Sequence, residues 1–263
     1  MKTALLQLTS GIDPATNFDA VAALTRQTDA DFVLTPEMTP LLQKDGAALR
    51  AAVRPEAETI APYCELAKRR GIYFLLGSAA VLRGNGKIAN RSVLIDPDGR
   101  VTARYDKINL FEAALPGGEN YRESDTYSAG ETPTIGQVGA MSLGLSVCYD
   151  LRFPALYSRY AGEGVDMVSV PSAFTCATGK AHSETLLRAR AIESGAWVLA
   201  PAQGGHHVDG RKTWGRTMVV APWGDIAGVL DHDQPGVLEI TIDPKDVADA
   251  RARIPAWRQR GQV

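Results

Sequence analysis

An α/β fold, with sheet inside and helices outside, is what this sequence predicts, and three observations predict it. Short β-branched or Leu-rich runs alternate with segments of helical spacing along most of the chain. Two tight turns, Asp96-Pro97-Asp98-Gly99 and Pro222-Trp223-Gly224-Asp225, join strands directly, so hairpins interrupt the helical crossovers. No internal repeat, low-complexity tract or linker rich in Pro, Gly or Ser divides the 263 residues, and residues 1–263 are expected to form one domain.

The first strand is expected over residues 3–8. Asp13-Pro14 then supplies an N-cap followed by proline at the first helical position. Phe18, Val21 and Ala22 give that helix an apolar stripe. A short apolar run over 31–34 ends at Pro36-Glu37. A second helix starts near Pro55, with Ala57, Ile60, Ala61 and Cys64 as its expected buried face and Gly71 as its stop. Strands follow at 72–76, 93–95, 101–105, 141–147, 167–170, 197–200, 217–221 and 226–230. Helices fit 154–161 and 182–194.

Composition excludes several function classes. Lys and Arg number 28 against 30 Asp and Glu, a net charge of −2, whereas a dedicated nucleic-acid binder needs a basic stripe against phosphates. The basic residues near the C-terminus, Arg251, Arg253, Arg258 and Arg260, read as a solvated tail. No apolar run approaches the roughly 20 residues that span a bilayer. The N-terminal apolar stretch is broken by Thr9, Ser10 and Asp13, too early for a signal-peptide core. The three cysteines, Cys64, Cys148 and Cys176, are odd in number and form no CxxC pair, which argues against a disulfide framework or structural zinc. Free thiols fit the reducing cytoplasm.

Three strand ends carry residues capable of chemistry, at the place where open α/β sheets put their sites. Leu34-Thr35-Pro36-Glu37 sets a carboxylate just past a buried run. Tyr105-Asp106-Lys107-Ile108 sets a lysine at the end of a hairpin strand. In Leu143-Gly144-Leu145-Ser146-Val147-Cys148-Tyr149-Asp150 an apolar strand ends in a cysteine, and Arg152-Phe153-Pro154 opens a helix. Each has a plainer reading alone: Cys148 as a small buried hydrophobe, Glu37 as a cap, Lys107 as a solvated charge. The strand-to-helix setting favours Cys148, because N–H groups at a helix start stabilise a thiolate or an oxyanion. Other motifs fail. There is no G-x-S-x-G, and Gly84-Asn85-Gly86-Lys87 lacks the spacing of a phosphate loop. His206-His207 reads as a solvated polar loop, Cys64 as core, and Cys176 as either site wall or bystander.

Glu37, Lys107 and Cys148, in that order and at those strand ends, resemble the Glu-Lys-Cys triad of the nitrilase (carbon–nitrogen hydrolase) superfamily. The similarity covers nearly the whole chain. Residues 147–154 resemble the nucleophile motif of the amidase branch. Residues 171–175, 178–182, 186–193, 202–206 and 222–224 resemble segments of deaminated-glutathione amidases. Glu123 stands where that family carries a supporting glutamate. Asn109, Thr35 and Ser183 depart from the common His, Phe and Trp, which bears on substrate identity and leaves the triad intact.

The resemblance implies a four-layer α-β-β-α sandwich, a homodimer or higher homo-oligomer, and no metal or organic cofactor. It also implies hydrolysis of a small linear amide to acid and ammonia through a Cys148 thioester. Glu37 would be the general base and acid, with Lys107 and the Tyr149 N–H holding the oxyanion. Arg152 is a candidate for gripping a substrate carboxylate or for a structural ion pair. Phe174 and Thr175 are candidate substrate contacts and favour deaminated glutathione. An ω-amidase for α-ketoglutaramate is the alternative. A Cys-His thioesterase with His182 as base would leave Glu37 and Lys107 without a role. A non-catalytic interaction protein has no need of an intact triad. For the dimer, Leu156, Tyr157 and Tyr160 offer an apolar and aromatic face on the helix after Pro154, unless that face packs inside the subunit.

Overall fold

The computed structural model describes residues 1–114 and 120–258. Its strands are β1 (Lys2–Gln7), β2 (Phe32–Leu34), β3 (Tyr73–Leu82), β4 (Ile88–Ile95), β5 (Val101–Asp106), β6 (Glu112–Ala114), β7 (Asn120–Arg122) and β8 (Ile135–Val138). They continue as β9 (Met141–Leu145), β10 (Met167–Ser169), β11 (Trp197–Ala200), β12 (Gly204–His206), β13 (Lys212–Trp214), β14 (Met218–Val220), β15 (Ile226–Val229) and β16 (Gly236–Thr241). The α-helices are α1 (Pro14–Thr25), α2 (Gly46–Ala52), α3 (Glu56–Arg70), α4 (Pro154–Gly162), α5 (Cys176–Thr178), α6 (Glu184–Ser194) and α7 (Pro244–Arg253).

Two six-stranded sheets run in the orders β16-β1-β2-β3-β4-β5 and β15-β14-β11-β10-β9-β8. Each has three parallel strands at its centre, β1 to β3 and β9 to β11, flanked by antiparallel strands. Alternation along the strands builds the layers. Ala4 and Leu6 of β1 and Phe74 and Leu76 of β3 pack with Val21 of α1 and Ile60, Tyr63 and Ala67 of α3. Leu5 and Leu75, on the opposite face, join Leu143, Leu145 and Val198 of the second sheet, in a core that continues to Leu156 of α4 and Leu187 of α6. The order is helix, sheet, sheet, helix, the four-layer sandwich that the sequence implied. The Asp13 side chain caps α1 by accepting the Thr16 N–H, and Gly71 ends α3 at φ 64°.

The structure corrects four sequence readings. On α3, Ala57 and Ala61 are exposed and Cys64 is half-buried. Tyr63 turns inward instead, edge-on to Phe18 at 5.4 Å and against Phe74 at 5.9 Å, because a ring buries far more apolar surface than a methyl group. On α4, Leu156, Tyr157 and Tyr160 are buried within the chain, where the Tyr157 hydroxyl meets Ser146 Oγ at 2.8 Å. That face is therefore not a surface for a second copy. Arg251 is no part of a solvated tail: its guanidinium donates to the carbonyls of Ser194, Gly164 and Val165 and stacks over Trp257. Arg260 lies outside the described residues. His207 is buried, with its ring nitrogens 2.8 Å from Ser10 O and 2.7 Å from Thr213 Oγ1, while His206 is exposed. Among the described residues, no helix is long and apolar enough to cross a membrane.

Candidate active site

Glu37, Lys107 and Cys148 follow β2, β5 and β9, and the two sheets bring these three strand ends to one cavity of about 360 Å³. Each lies in a segment fixed by local chemistry. The Glu37 turn is held to β3 by Thr35, whose hydroxyl accepts the Gly77 N–H at 3.0 Å. A Cβ on Gly77 would lie 1.9 Å from the Thr35 carbonyl oxygen, so the close approach requires glycine. Met38, next to Glu37, has φ 55°, and Cys148 has φ 48°. Side chains rarely occupy this left-handed region, and strain of this kind gathers at functional turns. Cys148 opens a 3₁₀ turn, Cys148–Arg152, and its N–H donates to Pro171 O at 2.9 Å.

The charged groups of the cluster are paired, while the buried Asn90 Oδ1 has no hydrogen-bond partner among the described residues. The Lys107 ammonium is 2% exposed and donates to Glu37 Oε1 at 2.9 Å and to Glu123 Oε2 at 2.8 Å. The Asn90 side-chain amide donates at 3.0 Å to both Glu37 Oε1 and Glu123 Oε1. Glu37 Oε2 accepts the Ala173 N–H at 3.0 Å, and Glu123 Oε2 accepts the Phe111 N–H at 2.6 Å. The Cys148 thiol lies within electrostatic reach of the Glu37 carboxylate and the Lys107 ammonium.

Burial sets the baseline for all three pKa values, and the neighbours decide their direction. Burial works to raise that of Glu37, but the Lys107 charge and the interactions with Lys107, Cys148 and Asn90 outweigh it and hold the carboxyl below its usual range. Burial works to lower that of Lys107, yet the Glu123 and Glu37 charges push it well up. For Cys148, burial and then the Glu37 charge push the thiol well above its ordinary value. The resting arrangement is a carboxylate, an ammonium and a protonated thiol. The proton that must leave sulfur has a base within reach.

Glu123, Tyr149, Phe174 and Thr175 all line this cavity. The Tyr149 ring packs against Phe111 at 5.1 Å and Phe153 at 5.4 Å. The Thr175 hydroxyl accepts the Thr178 N–H at 3.2 Å, capping α5. Arg152 and His182 are not among the lining residues: Arg152 Nη2 lies 3.1 Å from His182 Nδ1, and its guanidinium sits 5.8 Å from the centre of the Tyr149 ring. His182 is thus engaged with Arg152, away from the thiol.

Sequence reasoning missed Asn90, Asp150 as an anchor, and the cations of the cavity wall. Asn90 had one signal, an amide side chain inside the apolar strand run of β4, where asparagine is disfavoured. The arrangement supplies what acyl transfer needs: a nucleophile, a base within reach of it and a fixed cation beside both.

Comparison with known proteins agrees with this geometry. The carbon-nitrogen hydrolase family model matches residues 2–252. A deaminated glutathione amidase of Yersinia enterocolitica is 38% identical over 259 residues, covering 96% of this chain and 90% of that protein. The crystal structure of the C. elegans NitFhit protein superposes with a TM-score of 0.88 at 32% identity, over 98% of this chain and 64% of that one. A mutant of the amidase from Nesterenkonia sp. AN1, with acrylamide added at its active site cysteine, superposes with a TM-score of 0.79 at 29% identity, over 97% of this chain and 98% of that one.

Proposed function

The chain belongs to the carbon–nitrogen hydrolase family and is a hydrolase acting on amides; from that premise we propose that it cleaves deaminated glutathione, or a related carboxylate-bearing amide, through a thioester on Cys148. The observation that carries this reading is the convergence of Glu37, Lys107 and Cys148 on one cavity, with the Glu37 carboxylate paired to the Lys107 ammonium at 2.9 Å. Relatives that bear the name deaminated glutathione amidase support the substrate.

In this reading the sulfur attacks the amide carbonyl as Glu37 takes the thiol proton. Lys107 and the Tyr149 N–H stabilise the oxyanion, and losing one such donor typically costs about 3 kcal/mol. The tetrahedral intermediate collapses by breaking the C–N bond, and Glu37 returns the proton to the departing nitrogen. Water then attacks the thioester, Glu37 takes its proton, and the acid leaves as the thiol is re-formed. Glutathione contains no primary amide, so the group released from its deaminated form is an amine; ammonia is released only from primary amides. Glu123 holds Lys107 through a second ion pair beside the one to Glu37.

The test is mass spectrometry of the enzyme quenched during turnover of deaminated glutathione. The expected result is an acyl adduct on Cys148 that is absent from Cys148→Ala. Turnover by Cys148→Ala, or labelling only of Cys64 or Cys176, would end the assignment. We include in the proposal a single domain spanning the chain, a cytoplasmic location supported by three free thiols, and a homo-oligomer. Exposed apolar side chains at Ile192 and Trp223 support the last, and light scattering that shows monomer alone would refute it.

A further inference from the structure

We propose that Arg211, with Lys212 beside it, anchors a substrate carboxylate remote from the scissile amide; the proposal rests on the amidase reading above. The two carboxylates among the lining residues, Glu37 and Glu123, are both bonded to Lys107. Four further cations line the cavity, Lys44, Arg122, Arg211 and Lys212. The wall is therefore cationic beyond what the catalytic cluster uses, and it fits an anionic substrate.

Arg211 is the member of this set that is built into place. Lys44, Arg122 and Lys212 are exposed, whereas the Arg211 side chain is 25% exposed. Asp209, itself 3% exposed, receives Arg211 Nε at 2.8 Å and Nη2 at 2.7 Å through Oδ2, and accepts the Arg211 backbone N–H through Oδ1. One edge of the guanidinium is thereby fixed. Nη1, on the other edge, has no bonded partner among the described residues. An arginine held this way loses little freedom when it meets a carboxylate.

The support beneath it is equally fixed. The His207 N–H donates to Arg211 O at 2.9 Å, and the buried His207 ring is wedged between Ser10 O and Thr213 Oγ1. This burial gives the histidine a purpose: it braces the turn that carries Arg211. Tyr127, another lining residue, lies within electrostatic reach of Arg211 and of Glu37, Lys107 and Glu123, so the anchor and the chemistry share one cavity. Asp209 offsets the Arg211 charge, so the attraction comes from the directed N–H edge together with Lys212, which has no ion-pair partner among the described residues. Arg152, the arginine nearest Cys148 in sequence, lies outside the cavity lining and is not part of this anchor.

The test is calorimetric titration of the whole enzyme with glutarate, a five-carbon dicarboxylate with no amide. Because no turnover is needed, failure here is separable from failure of the amidase reading, which deaminated glutathione turnover decides. The wild type is expected to bind glutarate, and Arg211→Gln to raise its Kd about tenfold or more. In turnover, the kcat/KM ratio for glutaramate over pentanamide is expected to fall by a similar factor, carried by KM. Thermal melting checks the fold. If Arg211→Gln does not fold, Arg211→Lys, which keeps the charge and loses the fork, is read the same way. No glutarate binding by wild type, or a Kd changed less than threefold in a folded variant, overturns the proposal.

Discussion

Asn109 donates twice to the same oxygen of Asp150, through its backbone N–H at 2.9 Å and its side-chain amide at 2.8 Å. The other Asp150 oxygen accepts the Tyr105 hydroxyl at 2.8 Å and the Val147 N–H at 2.9 Å. One buried carboxylate thus ties the strand end that carries Lys107 to the residue before Cys148. Asn109 serves this anchor with both its main chain and its side chain. Asn109→Ala is expected to cost about 1–2 kcal/mol in urea denaturation. It is expected to lower kcat more than it raises KM, because Lys107 and Cys148 lose their common register.

Glu37→Gln and Lys107→Met are each expected to lower kcat by at least about 10²-fold. Both act on one transition state, so the double variant is expected to fall well short of the product of the two losses. Steady-state kinetics of the three variants measures this. A strictly multiplicative double variant would separate the two residues into independent roles.

The protonation states set the pH profile. Glu37 must be ionised to act as base, and its pKa is held below the ordinary 4.5, so the acid limb of kcat/KM is expected below pH 4.5. The thiol lies well above 9.0, so no rise in kcat/KM from thiolate formation is expected as pH climbs toward 9.0. The same groups bear on stability. A lowered Glu37 stabilises the fold above about pH 4.5, and this is lost as pH falls through the folded value. A raised Lys107 stabilises below 10.5, and this is lost only as pH rises through its folded value. Chemical denaturation across pH, beside the rate profile, checks both.

Gly77→Ala is expected to be among the most damaging single-methyl changes in the chain. Its Cβ would meet the Thr35 oxygen at 1.9 Å, the Pro36 oxygen at 2.4 Å and Pro171 Cβ at 2.7 Å. These are backbone or stiff atoms from both sheets, so the strand ends must part. The expected loss is about 3 kcal/mol, at the upper end of overpacking costs, with activity falling further as Glu37 moves off Cys148. A melting curve within a degree or two of wild type would show that the turn yields more easily.

Much of this architecture was legible because it is local. Apolar runs ending in Pro36-Glu37, Lys107 and Cys148 announce strand termini, and Asp13-Pro14 and Gly71 announce helix ends. What was not legible depends on direction in space. Arg152 follows Cys148 by four residues, yet the 3₁₀ turn carries it toward His182. Asn90 and Asp150 matter because of partners 53 and 45 residues away. Tyr63 overrode the Ala61 register on α3 because Phe18 and Phe74 stand ready to receive a ring, which no periodicity shows.

The protonated thiol has a chemical consequence outside catalysis. Peroxides attack thiolates, and cysteines of low pKa next to cations are the ones cells lose first to sulfenic and sulfinic acids. Here Cys148 is buried, and burial together with the Glu37 charge favours the protonated thiol. A buried, protonated thiol is expected to react with peroxide more slowly than an exposed thiolate would, and the rate at which peroxide inactivates the enzyme measures this.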